Sequence, residues 1–173
     1  GLVAAMEDLE GYLEWGCDGT DLSGADGIAI GTGYQNTLDI VSGCSQTPIA
    51  ASEALAYESD GYDDWYLPSL NELYEIWETI GDGDLGGDIG GFDLVGDYYW
   101  SSTEYSNNIA WSQSFAYGAT TELSKSDSNS GIARPIRAFG NWTMGCMDET
   151  ACNYNPEANM ADDSCEYPEQ GYD

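Results

Sequence analysis

Thirty-two acidic side chains stand against three basic ones, with no histidine, in a chain of 173 residues. This imbalance, a formal net charge of -29 at pH 7, constrains the fold more than any single motif. All three cations, Lys125, Arg134 and Arg137, fall within one stretch, "LSKSDSNSGIARPIRAF". With carboxylates in such excess, both arginines are expected inside the fold, paired with acids such as Glu72 or Glu104. The planar guanidinium suits that place because it grips a carboxylate with two parallel bonds.

The same charge excludes whole classes of function. A protein that tracks nucleic-acid phosphates needs cations to displace counterions, and here there are almost none. Anionic lipid headgroups are repelled for the same reason. What the charge favours is solubility and the attraction of cations. No apolar run approaches the ~20 residues that cross a bilayer, so no direct membrane insertion is expected. Six Trp, thirteen Tyr and 42% hydrophobic residues suffice for a packed core. The length suits one domain with a small appendage. The chain opens "GLVAAMEDL", with neither an initiator Met nor a leader, so a removed leader or a longer parent is expected.

Five cysteines without histidine, and without a CxxC pair, argue against zinc. Cys17 and Cys44 lie in the first part, while Cys146, Cys152 and Cys165 cluster near the end. That distribution fits an oxidised, extracellular chain with one disulfide in the main body and at least one in the tail. Asn141-Trp142-Thr143 is a glycosylation acceptor where the machinery exists.

Read along the chain, "GLVAA" predicts a short buried strand and "LEWGC" a second extended piece. A Gly- and Asp-punctuated loop follows. "QNTLDIVSGC" and "IAASEALAYE" predict two short helices separated by Pro48. The clearest helix is "PSLNELYEIWETI", where Ser69 and Glu72 have capping-box spacing and Leu70, Leu73, Ile76, Trp77 and Ile80 form an apolar stripe. From Tyr98 onward "YYWSSTEY", "IAWSQSFAYG", "ATTELSKSD" and "GIARPIRAF" read as strands. Helices first and antiparallel strands last predict an α+β fold.

Metal chemistry has one candidate place. Asp148, Asn153, Asn155, Asp162 and Asp163 offer hard oxygens at spacings that flexible calcium coordination tolerates, which would make calcium a structural ion. The same side chains could instead cap turns in a stapled loop. "DGDLGGDIGGFD" carries Asp82, Asp84, Gly87, Asp88 and Asp93 near calcium-loop offsets but lacks the closing Glu, and a solvated loop is expected there. An enzyme is not expected. Without histidine there is no Ser-His or Cys-His machinery, and carboxylate pairs are too abundant to point anywhere.

Several linked motifs carry a resemblance. Trp65-Tyr66-Leu67-Pro68-Ser69 with Glu72-Leu73, Tyr99 to Glu104, then Ala110, Trp111, Phe115 and Gly118, and finally Ala133 to Phe139, resemble the C-terminal domain family of the Legionella collagen-like adhesin. "GLVAA", "EWGC" and "GTGYQNT…IVSGC" extend the likeness through nearly all of residues 1–139. The resemblance implies a C-type-lectin-like domain with two or three short helices and an antiparallel sheet, displayed on adhesins, fibres or cell surfaces. It places the ligand face between Tyr105 and Gly131. There Tyr105, Asn107, Asn108, Ser112 and Tyr117 are the expected contact residues, mixing aromatic area with amide hydrogen bonding. Trp111 and Phe115 are expected in the core at period-two spacing. The adhesin's link to sulfated polysaccharides does not suit so acidic a chain.

After a linker at 140–144, residues 145–173 resemble the "GCTDPTACNYNPEATVDDGSC" repeat of large secreted surface proteins. That likeness implies a small disulfide-stapled irregular module, with Cys146 paired to Cys165 and a partner for Cys152 beyond "EYPEQGYD". The expected function is ligand recognition outside the cell, on a cell or virion surface, with a glycan or a surface protein as partner. A structural filament subunit that self-assembles is the alternative, and a carboxylate glycosidase a distant third.

Overall fold

The protein is described by a computed structural model covering residues 1–83, 87–140, 143, 145–146, 148, 150–158 and 164–167. Among the described residues three helices, α1 (Gly33–Gly43), α2 (Ala50–Ala56) and α3 (Leu70–Ile80), come before the main run of strands. A short strand, β1 (Leu2–Ala4), precedes them. Five strands follow: β2 (Tyr98–Ser106), β3 (Ile109–Ser114), β4 (Thr120–Ser124), β5 (Gly131–Ile132) and β6 (Ile136–Ala138). The fold is α+β.

Helix α3 starts where the capping box places it. The Ser69 hydroxyl accepts from the Glu72 amide, and the Ser69 amide donates 2.8 Å to Glu72 Oε2. Its apolar stripe buries Leu73 and Ile76 and lays Trp77 and Ile80 against the same core. Helix α1 ends at Cys44, whose disulfide to Cys17 fastens the helix to the extended segment before it. That segment, "LEWGC", forms no strand, yet Leu13 donates to Gly131 O at 2.9 Å and Gly16 to Lys125 O at 3.1 Å. Its Trp15 is fully buried and donates to Ser101 O at 2.8 Å.

The strands depart from the expected antiparallel set. In the four-stranded sheet, ordered β4-β3-β2-β5, β2 pairs β5 in parallel, so the sheet is mixed. "GIARPIRAF" is two strands and not one. Pro135 has no amide hydrogen to give a ladder. Its carbonyl instead accepts from Ala5 at 2.8 Å, and the chain crosses from β5 to β6, which pairs β1 in a separate two-stranded sheet. Strand β1 is half-buried, not buried, with Val3 pointing outward at 40% exposure. Its ladder with β6 runs on to the chain's first residue: the Gly1 ammonium donates to Phe139 O, and the Phe139 amide to Gly1 O, both at 2.9 Å.

The cations settle elsewhere than expected. Arg137 grips Asp64 with two bonds of 2.7 and 2.8 Å and lies 3.7 Å from the Tyr62 ring centroid. Arg134, almost fully buried, pairs with Asp8 at 2.5 Å and donates to the carbonyls of Ala5, Gly90 and Gly91. Glu104 is taken by Lys125, the third cation, which is wholly buried. Glu72 has no cation, because backbone amides already fill its oxygens. In the tail Cys146 is bonded to Cys165, and Cys152 is free and exposed.

Candidate ligand face

The turn between β2 and β3 is built as a fastened platform. Asn107 O accepts the Gly19 amide at 2.8 Å, and Asn108 O accepts the Lys125 amide at 2.9 Å. The Asn108 side chain donates to Asp18 at 2.9 Å. Two residues before the turn, near the end of β2, Tyr105 is 53% exposed and meets Trp111 edge-on, with ring centroids 5.1 Å apart. Trp111 is therefore half-buried under Tyr105 and is not a core residue as expected, whereas Phe115 is fully buried.

Beside Tyr105 opens a cleft of about 250 Å³, walled by Asp21, Ser23, Asp26, Glu104, Tyr105 and Ser106. Its floor is fixed by charge. Both Glu104 oxygens accept the Leu22 amide, at 3.0 and 3.1 Å, while Lys125 pairs with the same carboxylate. The Lys125 ammonium also donates to Thr20 O at 2.8 Å and sits 4.6 Å from the Trp15 ring centroid. Glu104 is thus committed to holding the loop, while Asp21, Ser23 and Asp26 face solvent. In the sequence Asp21, Ser23 and Asp26 read only as loop, since Gly/Asp punctuation marks a turn without saying what it borders.

The expected contact residues are not all brought together. Asn107 and Asn108 form the turn, and Tyr105 stands at the end of β2 that leads into it. Ser112 is fully buried, and its hydroxyl donates to Thr121 O at 3.1 Å, so it is no surface contact. The reason is that β3 is covered on both faces over Ser112–Ser114. Tyr117 is 83% exposed but lies beyond the other end of β3, roughly 17 Å along the strand at ~3.3 Å per residue.

The tail oxygens are engaged in turns. Asp148 accepts from the Thr150 amide and hydroxyl, at 2.8 and 2.7 Å, and from the Tyr167 hydroxyl at 2.8 Å. Those bonds, the Thr150 hydroxyl first, hold its carboxyl below the usual carboxylate range. Asn155 accepts the Glu157 amide and Asn153 the Glu166 amide. Among the described residues no three His, Cys, Asp or Glu side chains are grouped to hold a metal ion. Asp162 and Asp163 lie outside the described residues, as do Asp84 and the Asn141-Trp142 part of the glycosylation acceptor. In the glycine-rich loop, Asp88 and Asp93 accept the amides of Phe92 and Val95, as turn caps do. No described helix is long and apolar enough to cross a membrane.

Compared with protein-family models the chain matches none, and it matches no curated protein.

Proposed function

We propose that this chain is an extracellular ligand-recognition domain of C-type-lectin-like fold over residues 1–139, followed by a stapled acidic module, and that it binds a glycan or surface protein through the β2–β3 turn. The observation that carries this reading is Tyr105: a half-exposed aromatic held against Trp111, next to a polar cleft, at the end of β2 leading into a turn fastened by three hydrogen bonds. Aromatic area with adjacent hydroxyls and amides is what sugar and protein recognition use. The two disulfides agree with an oxidising, extracellular setting. A structural calcium held by the tail belongs to the same reading.

Glycan-array and surface-protein pull-down binding test it. Alanine at Tyr105 or Asn108 is expected to weaken a detected ligand at least tenfold. The same change at Tyr117, at the far end of β3, is expected to leave it within twofold. Undiminished affinity in both Tyr105→Ala and Asn108→Ala would overturn the proposed face.

A further inference from the structure

The two-stranded sheet ends on β1. On one side β6 is flanked by Tyr66, which exchanges both backbone bonds with Ile136, at 2.8 and 2.9 Å. On the other side, among the described residues, nothing pairs with β1. Register decides which of its groups are free. The Gly1 ammonium donates to Phe139 O and the Ala5 amide to Pro135 O, the residues on either side of β6, so Val3, in register with Arg137, faces β6 as well. Leu2 and Ala4, opposite Ala138 and Ile136, turn their N–H and C=O outward, because hydrogen-bonded and non-bonded pairs alternate.

Alongside this open edge runs a groove of about 400 Å³. Leu2, Ala4, Ile30, Ile76 and Ile80 line it, with Glu75 the one charged side chain among its described residues and the Gly1 ammonium, held by Phe139 O, at its end. Ile30 is 49% exposed, and no charge, bulge or proline in β1 protects the edge in the way sheet proteins commonly do.

We propose that the β1 edge and this groove seat an extended segment of another protein, added as a further strand. Outward Leu2 and Ala4 supply its main-chain partners, and the groove takes its alternate apolar side chains. Charge chooses the partner. A second copy brings another 29 net negative charges, which oppose association. The occupant is therefore a basic segment, apolar at alternate positions, with a lysine or arginine reaching Glu75.

The probe is a short synthetic peptide of alternating valine and threonine with a lysine at each end, titrated into the whole chain and followed by fluorescence anisotropy and by amide NMR shifts. Binding is expected to move the amides of Leu2, Ala4, Ile30 and Ile76. Ala4→Pro removes one outward donor without breaking a bond to β6, so it is expected to weaken the peptide at least tenfold with an unchanged melting temperature. Ile30→Asp, in the groove wall, is expected to do the same, and a peptide ending in glutamates to bind at least fivefold more weakly. Undiminished binding to both variants, shifts confined to other surfaces, no binding at all, or self-association of the chain through β1 would each overturn the proposal.

Discussion

Glu72 shows how one residue can carry several duties. Its carboxylate is fully buried without a cation, and it accepts the Gly31 amide at 2.9 Å, the Ser69 amide at 2.8 Å and the Tyr66 hydroxyl at 3.3 Å. Burial pushes its pKa up, while the Ser69 and Gly31 amides oppose the rise. Because the folded value lies above the unfolded one, near 4.3, the folded state holds the extra proton between them. This residue's contribution is thus full below about pH 4.3 and fades as pH rises through the folded value. The advantage of wild type over Glu72→Gln is therefore expected to shrink from pH 4 to pH 7 in thermal melts; a difference constant with pH would contradict this. Asp64 and Asp127 act oppositely. Arg137 and the Asn129 amide hold them low, so their contributions exist above the ordinary aspartate value and vanish as pH falls through the lowered ones. Spacing alone marks Glu72 as a cap. Charge counting also offers Glu72 to an arginine, because it does not show that backbone amides have already filled the site.

At the level of elements, α3 is anchored through its first turn to the loop before α1. A Cβ on Gly33 would lie 2.2 Å from Glu72 Oε2, 2.7 Å from Ser69 N and 3.0 Å from Leu67 O. Two of those neighbours are backbone and cannot swing aside. Ser69→Ala is expected to cost about 1 kcal/mol, the usual loss for a helix cap. Gly33→Ala is expected to cost more, since it displaces the carboxylate as well, and urea unfolding of both variants would rank them. Helices were legible here because caps and stripes are local signals. Strand partners were not. Nothing in "GIARPIRAF" says that Pro135 divides it between two sheets, or that β5 meets β2 in parallel; those outcomes depend on which distant edges lack partners.

For the whole molecule, the arrangement of charge matters more than its amount. The three cationic side chains are paired with Asp8, Asp64 and Glu104, so each is neutralised by an acid and the remaining carboxylates leave the chain strongly anionic. Sodium chloride is expected to raise the melting temperature by screening that repulsion. Calcium at matched ionic strength is expected to add a further rise if the tail holds an ion, and an identical rise would count against a bound calcium. Composition made the anionic surface readable from the start. It could not show that Ser112 is buried or that Tyr117 stands apart from Tyr105, because facing and distance along β3 depend on what covers the sheet.

The ladder between Gly1 and Phe139 has a mechanical consequence. Laid out straight, the intervening chain would span roughly 470 Å at ~3.4 Å per residue, yet its ends meet within one hydrogen bond. Spliced into a longer polymer, such a body adds almost nothing to contour length and hangs to the side like a bead on a clasp. A pull on both ends would load β1 and β6 from the open end of their ladder, parting bonds one after another as a zipper does, so the clasp would yield before the bead.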